Sequence, residues 1–127
     1  MIVLLDTTVL SDILRGRQNQ RTLLAELVEG GHSLATAAIN IAEVYAGMRQ
    51  GEEARTEGLF SNLVCYPTTD SIARRAGGLK HAWAKKGQTF SLPDMIVAAT
   101  VLEHGLTLMT DNRKDFPFQE LNFYPLA

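Results

Sequence analysis

The stretch Ile2-Val3-Leu4-Leu5-Asp6-Thr7-Thr8-Val9-Leu10-Ser11-Asp12-Ile13-Leu14 decides the fold class. Its first four residues are apolar without interruption, the pattern of a strand covered on both faces. Asp6-Thr7-Thr8 supplies side-chain oxygens suited to capping a helix, and Val9, Leu10, Ile13 and Leu14 then recur at helical spacing until Gly16. Strand followed by helix repeats along the chain. Residues 21–29 read as a second helix, with Leu23, Leu24, Leu27 and Val28 apolar and Gly30-Gly31 closing it. Residues 32–35 read as a short strand, and 38–48 as a helix with the stripe Ile41, Val44, Tyr45 and Met48. A further helix is predicted over 52–63.

Val64-Cys65-Tyr66 is a strand-like run that ends at Pro67. After it, Thr69 is the expected cap of a helix with the stripe Ile72, Ala76, Leu79 and Trp83, stopped by Gly87. Trp83 completes that stripe and is therefore read as core. Gly77-Gly78 should weaken this helix and would permit another helix to approach closely. Pro93 fits the first turn of a helix over 93–104 that is apolar nearly all round, with Gly105 just past its end. Strands over 106–109 and 121–124 complete the pattern. Alternating strands and helices imply an α/β fold, three layers deep, with a central and mainly parallel sheet. The 127 residues are expected to form one domain, 1–127.

Composition narrows the function classes. Hydrophobic residues make up 46% of the chain and charged residues 20%, ordinary globular values. Twelve Lys and Arg against fourteen Asp and Glu give a net charge of −2. Any nucleic-acid contact must then be local, through a basic patch or a bound cation. The single cysteine, Cys65, excludes an internal disulfide framework and a cysteine-based zinc cluster, and is expected to be a small buried hydrophobe. No apolar stretch approaches the ~20 residues of a membrane span. Met1 leads directly into the first strand without a basic region or cleavage site, so a cytoplasmic protein is expected.

In open α/β sheets, ligands bind beyond the carboxyl ends of the strands. Asp6 falls at such an end and Asp111 two residues beyond another; Asp94 lies in the first turn of the apolar helix. Glu43 interrupts an apolar helix, with Asn40 and Gly47 on its own face. If these acids converge, their repulsion raises their pKa values unless a cation sits among them. No histidine stands beside any of the four, so the ion would be hard and oxygen-loving, Mg²⁺ or Mn²⁺, and its chemistry phosphodiester hydrolysis. Each acid also has a plainer reading. Asp6 can be only an N-cap and Asp94 only a favourable first-turn charge; Asp111 and Asp115 can be solvated, and Glu43 can sit on an exposed edge. Spacing alone leaves both readings open.

Four segments together resemble a known family. They are Leu5-Asp6-Thr7-Thr8-Val9-Leu10-Ser11, Asn40-Ile41-Ala42-Glu43-Val44-Tyr45-Ala46-Gly47, Leu92-Pro93-Asp94-Met95-Ile96-Val97-Ala98-Ala99-Thr100 and Leu108-Met109-Thr110-Asp111-Asn112-Arg113-Lys114-Asp115-Phe116. In this order and spacing the chain resembles the VapC-type toxins of bacterial toxin–antitoxin pairs, which are PIN-domain ribonucleases. The resemblance implies a PIN-like fold and a metal-dependent endoribonuclease. Asp6 and Asp94 would hold Mg²⁺ or Mn²⁺ most directly, and Glu43 would complete the site and orient the attacking water. The hydroxyls of Thr8 and Thr110 would help fix metal or water. The chain departs from the family pattern at Thr8, where Asn or Ser is common, and after Thr110, where many relatives carry arginine and Asp111 stands here. Asp115, Asp111 and Asn112 therefore compete for the fourth acidic position, with Asp115 favoured.

The resemblance also implies structured RNA such as tRNA as substrate, a homodimer, and a cognate antitoxin. The leucines and Phe60 of the helices over 21–29 and 52–63 are either core or the lining of an apolar groove for an antitoxin helix, whose Arg or Lys would reach the acids. Candidate phosphate contacts are Arg15, Arg17, Arg49, Lys85, Lys86, Arg113 and Lys114, against the plainer reading of solvated charge; the Lys85-Lys86-Gly87 run stands out among them. A phospho-acceptor receiver domain would need an acidic pair after the first strand and a late Lys-Pro, and both are missing. A haloacid dehalogenase-type phosphatase would need Asp where Thr8 stands. A PIN-like module that binds RNA or a partner without cutting is the remaining alternative, and retention of the core acids speaks against it.

Overall fold

The computed structural model describes residues 1–16 and 18–125; Arg17, one of the candidate phosphate contacts, lies outside the described residues. The first strand, β1 (Ile2–Leu5), is the centre of a five-stranded sheet. Its neighbours are β2 (Ser33–Ala37) and β4 (Thr107–Met109), with β3 (Val64–Tyr66) and β5 (Asn122–Phe123) at the edges, in the order β3-β2-β1-β4-β5. Every pairing is parallel. Side chains alternate across a strand, so Leu4 faces one layer while Val3 and Leu5 face the other. Leu4 packs with Ile72 and Ala76 of α5 (Asp70–Ala84) and with Met95 and Ala98 of α6 (Leu92–His104). Val3 and Leu5 pack with Val9, Leu10 and Ile13 of α1 (Thr7–Leu14), Leu27 of α2 (Gln18–Glu29) and Val44 of α3 (Ala38–Ala46). The remaining helix among the described residues, α4, spans Glu53–Phe60. The expected three layers are present, and the sheet is wholly parallel. Val3, Leu4 and Leu5 are each 0% exposed, and burying such a side chain stabilises by about 1.5–3 kcal/mol.

Boundaries differ from the sequence pattern in physically instructive ways. The second strand lies later than residues 32–35 because Ala35, Thr36 and Ala37 all fit inside the sheet. Thr36 tolerates burial by donating its hydroxyl to the Leu5 carbonyl at 3.0 Å. From Ala37 the chain passes directly into α3 without a loop, and the Asn40 side chain accepts the Ala37 N–H at 3.2 Å. Helix α2 begins before residue 21, and α3 and α4 are shorter than the spans 38–48 and 52–63. Thr69 caps α5 through the Ile72 N–H, Ser91 caps α6 through the Asp94 N–H, and Gly105 ends α6 at φ 62°.

Two expectations need correction. Cys65 is exposed, because β3 is an edge strand and its outer side is uncovered. Gly77 and Gly78 mediate no close helix contact: a Cβ at either would meet no atom within 4 Å. Trp83 does belong to the core layer, edge-on to Phe90 at 5.6 Å and Phe118 at 5.5 Å. Among the described residues, no helix is long and apolar enough to cross a membrane.

Glycine in a helix interior costs backbone entropy that alanine does not, and at these two positions the added methyl has space. Gly77→Ala and Gly78→Ala should therefore each stabilise the chain by about 0.5–1 kcal/mol in urea denaturation.

Candidate active site

The adjacent strands β1 and β4 end side by side, Leu5 opposite Met109, so Asp6 and Thr110 emerge together. Asp6 is only 5% exposed. Its Oδ1 caps α1 by accepting the Val9 N–H at 3.2 Å and also accepts the Thr8 hydroxyl at 2.6 Å. Its Oδ2 accepts the Thr110 hydroxyl. Asp6 is thus a cap and a member of a polar cluster at once. The direction of these bonds is forced. Thr8 Oγ1 accepts the Asp111 N–H at 3.2 Å, and Thr110 Oγ1 accepts the Asn112 N–H at 3.0 Å. A hydroxyl has one proton, so both threonines aim theirs at the Asp6 carboxylate.

Burial pushes the Asp6 carboxyl up from its ordinary value of 3.8; the bonds from Thr110, Thr8 and the Val9 N–H oppose that rise, and repulsion from Asp94 adds to it. Asp94 is half-buried in the first turn of α6, beside its cap Ser91. Its carboxyl is also raised, by desolvation first and then by the charges of Asp115 and Glu43, with the Ser91 hydrogen bond opposing. Asp6, Asp94, Asp115 and Glu43 therefore share one electrostatic neighbourhood although they lie far apart in sequence. Of the competitors for the fourth position, Asp115 sits half-buried on the 3₁₀ turn Arg113–Asp115 and its charge reaches Asp94. Asp111 is exposed, and its N–H and that of Asn112 are the donors to Thr8 and Thr110.

Glu43 takes the exposed position left open above, rather than a buried one. The buried polar residue of α3 is Asn40, 1% exposed, one turn before it. Thr7 Oγ1 donates to Glu43 Oε1 at 2.7 Å, and Asn40 Nδ2 donates to Thr7 Oγ1 at 3.0 Å. Thr7 was legible only as a possible cap oxygen, and Thr36 carried no signal. Asn40 was visible through its i−3 spacing from Glu43.

These donors are carboxylate and hydroxyl oxygens, the set a hard divalent cation prefers. Among the described residues, no three His, Cys, Asp or Glu side chains stand close enough to cage an ion. A small hydrated ion keeps several waters and takes one or two carboxylates, and the charge of Asp94 reaches the Asp6 carboxyl here. Of the candidate phosphate contacts, Arg15, Arg49, Lys85, Lys86, Arg113 and Lys114 are all exposed. Two are partly tethered: Arg113 donates to the Tyr124 carbonyl at 3.3 Å, and Lys86 lies 4.8 Å above the Trp83 ring. A concavity beside Glu43 is lined by Ser11, Arg15, Met48 and Glu52. A second, apolar groove is lined by Leu24, Val28, Leu34, Leu59, Leu63 and Val64.

A carboxyl raised in the fold opposes folding while ionised, and the penalty is relieved as pH falls through its folded pKa. In EDTA, Asp94→Asn should accordingly melt higher than the unmodified chain at neutral pH. The gap should narrow as the solution is acidified, read by thermal denaturation across pH.

Residues 3–123 match the family described as "PIN domain". The chain is 35% identical over 114 residues to "Ribonuclease VapC19" of Mycobacterium tuberculosis, covering 90% of this chain and 91% of that one. Among solved structures, a toxin–antitoxin complex from Klebsiella pneumoniae aligns with a TM-score of 0.78 at 29% identity, covering 94% of each chain. VapBC2 from Rickettsia felis, bound to a DNA fragment from its promoter, aligns with a TM-score of 0.83 at 21% identity and 98% coverage of each chain. From the first strand to the last, the chain belongs to the PIN-domain family.

Proposed function

We propose that this chain is a single-domain, metal-dependent endoribonuclease toxin, which hydrolyses phosphodiester bonds of tRNA or another structured RNA and is neutralised by a cognate antitoxin. The observation that carries this reading is the buried Asp6 carboxylate, which two threonine hydroxyls hold in the field of Asp94 at the carboxyl ends of the sheet. The likeness to a named ribonuclease and to a toxin–antitoxin complex supports it. Asp6 and Asp94 would hold Mg²⁺ or Mn²⁺, with Glu43 and Asp115 completing the acidic set. When bound, the ion supplies a water of lowered pKa and neutralises charge developing on the phosphoryl group. The chain's own contribution is preorganisation. Thr8 and Thr110 direct their hydroxyls at a buried carboxylate and oppose the rise that desolvation imposes on it. Glu43 accepts the Thr7 hydroxyl at 2.7 Å and would orient the attacking water. Lys85 and Lys86, in the segment leading to Asp94, supply exposed positive charge for the phosphate backbone.

The antitoxin reading draws on the two concavities along α4. Thr56 and the preceding Glu52 border the one beside Glu43, and Leu59 and Leu63 border the apolar groove. That groove also takes in Ser33, Leu34 and Val64, at the starts of β2 and β3, so it opens at the opposite end of the sheet from the acids. An amphipathic antitoxin segment seated there would have to run along α4 for its Arg or Lys to reach Glu43 and the acids. Val28, 59% exposed in the groove, offers a change that spares the core. Val28→Asp should leave RNA cleavage intact and shift the antitoxin complex towards free toxin on a sizing column.

The direct test is cleavage of labelled total tRNA with Mg²⁺ or Mn²⁺. Discrete cuts are expected, absent in EDTA and abolished by Asp6→Asn and by Asp94→Asn while both variants stay folded. Cutting that survives either change would remove these residues from the site. A folded, metal-loaded chain that leaves a broad RNA panel intact would overturn the nuclease in favour of a binding module.

A further inference from the structure

We infer that Asn40 and Thr7 form a positioning relay that fixes the orientation of Glu43, and that Asn40 does so by setting the direction of a single hydroxyl proton. The inference rests on the nuclease reading above. Glu43 is exposed on a short helix, and a side chain in that setting ordinarily samples several rotamers. Among the described residues, one hydrogen bond holds it, from Thr7 Oγ1 to Oε1 at 2.7 Å. Thr7 directly follows Asp6, so the bond ties Glu43 to the start of α1 across the gap between two helices.

The direction of that bond follows from a chain of forced choices. The Ala37 N–H can only donate, so the Asn40 atom facing it at 3.2 Å is Oδ1. The other amide atom is then Nδ2, which can only donate, and it meets Thr7 Oγ1 at 3.0 Å. With its lone pair engaged by Nδ2, Thr7 has its proton free for Glu43. Asn40 is 1% exposed, and its Oδ1 also lies 3.4 Å from the hydroxyl of Thr36, a residue anchored to the Leu5 carbonyl. The relay thus runs from the buried centre of the sheet to the exposed carboxylate. Thr8 and Thr110 follow the same logic at Asp6, each directed by a backbone N–H. At Glu43 a side-chain amide takes the place of the backbone.

Two substitutions separate positioning from scaffolding. Thr7→Val removes the relay hydroxyl and leaves Asn40 in place. Asn40→Asp keeps the acceptor for the Ala37 N–H and loses the donor to Thr7, whose proton then turns to the introduced carboxylate instead of Glu43. Each should lower kcat on RNA by about 10- to 100-fold with KM unchanged, as expected for groups that orient an active-site ligand. Thr7→Ser should restore the rate. In a Glu43→Gln background neither substitution should cost anything further, and Thr7→Val with Asn40→Asp should be no worse than the poorer single variant. Hydrogen exchange of the Asn40 side-chain amide reads the relay without any cleavage. It should be slow in the unmodified chain and in Thr7→Ser, and faster in Thr7→Val. Full activity of folded Thr7→Val, additive losses, or unchanged amide exchange would each overturn the relay. If Asn40→Asp does not fold, the Thr7 pair decides alone. An unmodified chain that cuts no RNA would instead fail the nuclease reading, and the amide exchange would still judge the relay.

Discussion

The structure is organised around a carboxylate that water would solvate better than protein. Asp6 stands at the end of the central strand, 5% exposed, and must be compensated there. Its compensation comes from three places: the Val9 N–H of the helix that follows, the Thr8 hydroxyl beside it, and the Thr110 hydroxyl beyond the neighbouring strand. Because Thr8 and Thr110 are themselves held by the Asp111 and Asn112 N–H groups, the loop after β4 is bound to the β1–α1 junction. One buried charge therefore fixes the meeting point of two strands, a helix and a loop. Repulsion between Asp6 and Asp94, and between Asp94 and both Asp115 and Glu43, adds to the burial that raises the Asp6 and Asp94 carboxyls. A cation placed among them would lower every one of these energies together.

Much of this was legible before the fold was known. The apolar run Ile2–Leu5 marked a strand covered on both faces, and Val3, Leu4 and Leu5 are indeed buried, in the strand that the sheet order places at the centre. The cap residue Thr69, the first-turn Pro93 and the αL glycine Gly105 mark helix ends by chemistry that depends on a few neighbouring residues, and local sequence carries that information. The strand β2 was placed too early because Ser33-Leu34-Ala35-Thr36-Ala37 has little bulk and no strong alternation. Its burial comes from its place next to the central strand. Cys65 misled for the complementary reason, since its residue type favours burial and only the sheet order reveals that β3 is an edge.

At the site, residue types pointed to the acids and the resemblance supplied their grouping. Spacing could not, because Asp6 at the end of β1 and Asp94 in the first turn of α6 come together only through the packing of that helix on the sheet. Nor did sequence distinguish buried from exposed members: Asp6 is buried, Asp94 half-buried and Glu43 exposed, so one acidic cluster spans three environments. What remained hidden was how the neutral partners are bonded to one another. Thr7, Asn40 and Thr36 are ordinary polar residues whose significance lies in the direction of their hydrogen bonds, and that direction exists only once donors and acceptors face each other.

The junction of β2 and α3 carries a further consequence. Ala37 ends the strand and Ala38 starts the helix, so no slack separates Glu43 from the sheet. Each residue of an α-helix advances the chain by about 100° of rotation, from 3.6 residues per turn. A single codon gained or lost between the strand and Glu43 would swing that carboxylate roughly a quarter-turn out of phase with Asp6, whereas the turn after α3 could absorb the same change. Length variation through evolution should thus be forbidden at one end of this helix and tolerated at the other, which makes α3 a ruler with its zero mark fastened to the sheet.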